Sequence, residues 1–130
     1  AAMTTQIAAA AAATLVLAAL GVLQILVASG KPYGALVWGG AHRVLPRKLR
    51  IGSVFSVLLY AGFAAILLSR AGILGGGDSG FVRVATWVLV GYFVLGIGMN
   101  AISRSRSERA VMTPVCVILA VASLVIALGA

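Results

Sequence analysis

Side chains able to do acid–base, nucleophilic or metal chemistry are scarce in this sequence, which holds one histidine, two acids and one cysteine among 130 residues. His42 stands beside Arg43, Asp78 lies in a glycine-rich run, Glu108 sits among arginines, and Cys116 lies in an apolar run. None of these shows the CxxC or CxxxH spacing of a metal site, and a single thiol excludes a disulfide within the chain. A nucleophile needs a base within hydrogen-bond reach, and no triad can be built when the two acids fall in loops on opposite sides of a membrane. Gly39-Gly40 and Gly75 to Gly77 lack the lysine and hydroxyl of a phosphate-cradling loop and read as turns. No catalytic, cofactor or metal residue is assigned, and the chain is expected not to be an enzyme.

The elements that would position any site follow from composition. The chain is 62% hydrophobic and 9% charged, against roughly 25% charged in an average soluble domain. Its mean hydropathy is +1.16. So short a chain cannot cover that much apolar surface with so few charges, so a bilayer is its expected solvent. Four runs free of charge, Ile7 to Ala28, Ile51 to Ser69, Val84 to Ile102 and Val111 to Gly129, approach the ~20 residues that a helix needs to cross ~30 Å of hydrocarbon. They show no alternation of the kind a β-barrel strand requires. The expected fold is all-α: one transmembrane domain over residues 1–130, a four-helix bundle running antiparallel, up-down-up-down. Met3 is expected to be the native start and the first span to be retained, since no basic residue precedes Lys31 as a signal peptide would demand. Pro46 is expected at the first position of the second helix and Pro114 at that of the fourth, with Thr113 as its cap. The rival reading starts the fourth helix earlier and kinks it at Pro114.

Basic residues set the expected orientation. Eight of the ten fall in the loops 29–50 and 103–110, and only Arg70 and Arg83 flank the loop 70–83. Short loops rich in Lys and Arg stay in the cytoplasm, so both termini are expected outside a plasma (inner) membrane. The net charge of +8 is therefore a topology signal and an attraction to anionic lipid headgroups, worth about 1 kcal/mol per nearby basic side chain. Tyr33, Trp38, His42, Arg43, Arg47, Lys48, Arg50, Arg104, Arg106 and Arg109 are the candidate contacts for headgroups or a partner. Nucleic acid is not expected among the partners.

Uncharged polar residues gain meaning once depth is assigned. Gln24 and Asn100 end the first and third spans, while Ser53, Ser56 and Thr113 open the second and fourth. A polar layer at the inner boundary is implied, with the two amides sharing a hydrogen bond or a common partner. It serves either as glue between helices, at ~0.6 kcal/mol per bond, or as the floor of a small site. Tyr60 and Tyr92 fall at mid-span and should point inward, because an unpaired phenol in lipid is costly. Gly91 and Gly98 should admit a close neighbouring helix, and Trp87, Phe81, Tyr33 and Trp38 fit interfacial anchors. No span holds an ionisable group, unlike the small multidrug exporters with their first-span glutamate.

The loop 29–50 is long for a helix connection, yet it carries Tyr33, Leu36, Val37, Trp38, Val44 and Leu45. It could lie on headgroups, fold back as a lid, or dock a partner. Pro32-Tyr33-Gly34, Trp38-Gly39-Gly40, Leu45-Pro46 and Leu49-Arg50, with Ser107-Glu108-Arg109 and Pro114, resemble a group of small four-span bacterial membrane proteins. That resemblance implies the architecture and no activity. Two functions compete. One is a structural, lipid- or partner-interaction role, with a homo-oligomer or larger membrane complex as its setting. The other is a passive transporter or channel for a small neutral or anionic solute, acting as an oligomer. A continuous polar cavity between the helices would favour transport, and a dry core with an outer groove would favour interaction.

Overall fold

The computed structural model describes residues 2–129, and side chains from Thr4 onward. It is a bundle of four helices: α1 Ala2–Ala28, α2 Arg47–Arg70, α3 Gly80–Ala101 and α4 Arg106–Gly129. Two single-turn 3-10 segments, Gly34–Leu36 and Trp38–Gly40, lie between α1 and α2. All four α-helices are long and apolar enough to cross a membrane. The helices run past the uncharged spans, because the basic residues of α2 and α4 continue the helix while their long side chains can reach water or headgroups.

Local signals explain the ends, with two departures from expectation. Pro46 is the residue before α2 rather than its first, with φ −67° and ψ 160°, and its carbonyl accepts from the N–H groups of Leu49 and Arg50, both at 3.0 Å. Pro114 lies inside α4, so the earlier start is the observed one and Thr113 caps nothing. What starts α4 is Ser105, whose Oγ accepts from Glu108 N at 3.2 Å and whose carbonyl accepts from Arg109 N at 3.0 Å. This is the Ser-x-x-Glu pattern of a helix start. At the opposite end of the bundle, Ser79 Oγ accepts from Val82 N at 3.2 Å to begin α3. Arg70, in an ion pair with Asp78 at 3.5 Å, also donates to Gly77 O at 2.9 Å and so ties down the glycine turn.

α4 is the central helix: α3 and α1 both pack along it, α1 also pairs with α2, and α2 meets α3 only sparsely. The core is built from Ala10, Ala13 and Leu17 of α1, Leu67 of α2, Leu89 and Phe93 of α3, and Leu119, Ala122 and Ile126 of α4. Small residues on α1 and α4 let those two helices approach, as membrane bundles require when no hydrophobic force separates helix from lipid. Leu15, Leu58, Phe81, Val88, Leu95 and Leu128 are exposed around the outside, which is the pattern of a surface solvated by hydrocarbon. Phe63 joins α2 to α3 through its ring contacts with Tyr92 at 5.4 Å and Phe93 at 6.0 Å.

Candidate functional site

The bundle holds a half-open cavity of about 370 Å³ lined by all four helices and by the first loop. α1 supplies Leu17, Leu20 and Gln24, α2 supplies Ser56 and Tyr60, and α3 supplies Tyr92, Phe93, Gly96, Met99 and Asn100 among others. α4 contributes Glu108, Met112, Val115, Cys116 and Leu119, and the first loop adds Leu36, Val37 and Trp38. Ala10, Ala13, Leu67, Leu89 and Ile126 take no part in the lining; they fill the rest of the interior as packed core. The volume lies in the range typical of small-molecule sites, mostly apolar with a few convergent polar groups.

The loop folds back onto α2 and α4 and forms part of the cavity wall. Val27, Val37 and Leu45 bury their side chains together beneath it, which answers where an apolar-rich connection hides those groups. Three successive residues, Trp38 (φ 53°), Gly39 (φ 74°) and Gly40 (φ 72°), turn left-handed over the cavity. Two are glycines, which adopt this conformation freely; a bulky residue held there stores on the order of 1–3 kcal/mol. Trp38 is held by its indole, which donates to Ser53 Oγ at 3.0 Å and lies so close to Gly52 that a Cβ there would stand 2.8 Å from the ring. On the other side, Gly39 N donates to Glu108 Oε2 at 3.1 Å, and Ser105 Oγ donates to Ala35 O. Gly34 N donates to Arg43 O at 2.8 Å and Arg50 Nε to Leu45 O at 2.8 Å, so the loop is closed on itself as well as on α2 and α4.

The polar layer is present but divided. Gln24 Nε2 donates to Tyr60 OH at 3.3 Å, while Asn100 Nδ2 donates to Gly96 O at 2.8 Å and Cys116 Sγ at 3.2 Å. The two amides line one cavity yet share neither a hydrogen bond nor a partner, contrary to expectation, because each finds a nearer acceptor on its own side. Ser53 is taken by Trp38, Ser56 Oγ donates to Gly52 O at 3.1 Å, and Thr113 Oγ1 is buried with no partner. Tyr60 and Tyr92 both line the cavity, Tyr92 with about half its surface exposed (52%). Gly91 and Gly98 face open space; the close helix approach is at Gly96, where a Cβ would lie 3.1 Å from Cys116 Sγ.

Of the candidate headgroup contacts, Tyr33, Trp38, His42, Arg43, Arg47, Lys48, Arg104, Arg106 and Arg109 are exposed and Arg50 is half-buried. Arg109 also donates to Ser103 O at 2.7 Å. His42 does not join Glu108, and among the described residues no group of three or more His, Cys, Asp or Glu could hold a metal ion. Glu108 is the residue that sequence reasoning misplaced. Assigned to an arginine-rich loop, it sits instead in the first turn of α4, only 7% exposed, at the cavity wall. The signal was the interval from Ser105 to Glu108, a helix-start pattern that places the carboxylate on the bundle rather than before it. In comparisons with family models, with curated proteins and with solved structures, the chain matches none.

Proposed function

We propose that this chain is a multi-pass protein of a bacterial plasma membrane that binds a small amphipathic molecule in the cavity beneath the first loop, an interaction role with no catalytic step. The observation that carries this reading is a largely apolar cavity whose few polar groups are incompletely paired: Gln24 is 7% exposed and its Oε1 accepts no hydrogen bond. An empty polar acceptor in such surroundings is destabilising by about 1–3 kcal/mol, and an occupant would relieve it. The basic loops lie on the cytoplasmic side among anionic headgroups in this reading, with both termini outside. The second reading, passive transport of a small solute by an oligomer, draws on the same cavity but requires the packed core around Leu89, Leu67 and Ile126 to open.

The test is native mass spectrometry of the full chain released from lipid nanodiscs, with Asn100→Leu alongside. The expected result is a small amphipathic molecule retained by the wild type and lost from a folded Asn100→Leu. Equal retention by both, or none by the wild type, contradicts binding in the cavity; solute flux in proteoliposomes would turn the assignment to transport.

A further inference from the structure

Among the described residues, Glu108 is the one charged side chain that lines the cavity. Glu108 is more than nine-tenths buried, yet it forms no ion pair among the described residues; its one side-chain partner is the N–H of Gly39. A carboxylate offers about four acceptor positions, so most of its capacity is unfilled. Gln24 Oε1 is a second, wholly unpartnered acceptor. Asn100 uses both amide hydrogens on Gly96 O and Cys116 Sγ, which leaves its oxygen as the group it can offer. No Lys, Arg or His lines the cavity, while Trp38, Tyr60, Tyr92 and Phe93 do. Aromatic faces attract cations, most strongly where water is excluded.

From this juxtaposition of a buried carboxylate, an orphan amide oxygen and aromatic rings in an apolar cavity, we infer that the site takes an organic cation, a ligand with a hydrogen-bonding ammonium head and an apolar body. The inference rests on the cavity being a binding site and adds the charge and chemical class of its occupant. The ammonium pairs with Glu108 and donates to Gln24 Oε1, and the body lies among Leu17, Leu20 and Met112. A buried carboxylate lacking a cation is strongly unfavourable, whereas a paired one is compensated. Its place in the first turn of α4, at the positive end of the helix dipole, and the Gly39 N–H keep it tolerable while the cavity is empty. The basic residues of the inner face do not oppose this, because they are exposed and screened by water and counter-ions.

The experiment uses the full chain carrying Trp87→Phe in nanodiscs, so that Trp38 in the first loop is the fluorescent reporter, with empty nanodiscs as the partition control. The probes are 4-phenylbutylammonium and its neutral counterpart 4-phenylbutanol. The expected result is a saturable change in Trp38 emission with the cation bound at least about tenfold more tightly than the alcohol. Glu108→Gln should abolish that preference while leaving alcohol affinity within about threefold. Saturable binding of both probes with equal affinity, or a preference that survives in folded Glu108→Gln, overturns the cation assignment and leaves the cavity a binding site. Absence of saturation by either probe removes the binding site itself and the cation assignment with it. Where Glu108→Gln does not fold, the anion 4-phenylbutyrate decides on the wild type: it must bind at least about tenfold more weakly than the ammonium, and equal affinities overturn the proposal.

Discussion

The backbone N–H of Gly39 donates to the carboxylate of Glu108 at 3.1 Å across 69 positions of sequence. One hydrogen bond thus joins the tip of the first loop to the first turn of α4, and it does so at the edge of the cavity. Gly39 and Gly40, both left-handed, make opposite demands on their surroundings. A Cβ on Gly39 meets open space, whereas one on Gly40 would run into Ser105. Gly39→Ala should therefore lose only the conformational term, about 1–2 kcal/mol, and Gly40→Ala should lose clearly more and loosen the loop. Thermal unfolding of the two variants in the same nanodiscs checks this, and equal losses would contradict the loop's packing on α4.

Gly96 stands against Cys116 while Gly91 and Gly98 face outward. Gly91→Ala and Gly98→Ala should be neutral or stabilising, by up to about 1 kcal/mol from helix propensity. Gly96→Ala should destabilise, because the Cys116 sulfur that must give way is held by Asn100 at 3.2 Å, and combining it with Cys116→Ala should recover part of the loss. The coupling is read from a double-mutant cycle. Strict additivity would mean that the two residues do not touch.

The hydroxyl of Thr113 is buried without a partner, one residue before Pro114 in the interior of α4. Thr113→Val keeps the shape and removes the unmet group, so it should leave stability unchanged or raise it by about 1 kcal/mol. A loss of more than about 1 kcal/mol would show that the hydroxyl has a partner and that the start assigned to α4 needs revision.

Orientation is tested with single cysteines in a Cys116→Ala background. Asp78→Cys, at 97% side-chain exposure in the turn between α2 and α3, should resist a membrane-impermeant thiol reagent added outside intact cells less than expected of an inner residue only if that turn is outside. With both termini outside, two crossings return the chain to the outer side, so Asp78→Cys should be labelled and Arg43→Cys protected. The reverse pattern overturns the orientation.

The helices were legible in the sequence because charge is so unevenly distributed: hydrocarbon forbids ionisable groups, so their absence marks each span. The ends were less legible. Arg47 and Arg106 continue their helices despite their charge, and Pro114, which reads as a start in isolation, is overridden by the Ser105 cap. Of the seven residues singled out by polarity at depth, Gln24, Ser56, Tyr60, Tyr92 and Asn100 line the cavity, and Ser53 and Thr113 do not. The pairing among them was not found, since it depends on which neighbour lies nearest rather than on depth. Glu108 and the Trp38 to Ser53 bond were missed for a related reason. Both depend on how a long loop folds back, and no periodicity records a contact made by left-handed backbone.

Leu95 and Met99 line the cavity and are also more than half exposed, at 66% and 63%, so the cavity is open on the lateral face of α3. In the proposed reading, a molecule entering there arrives by lateral diffusion from a two-dimensional reservoir. Occupancy then follows the mole fraction of the guest among the surrounding lipids, and diluting the sample with buffer at a fixed lipid-to-protein ratio leaves a strongly partitioned guest in place.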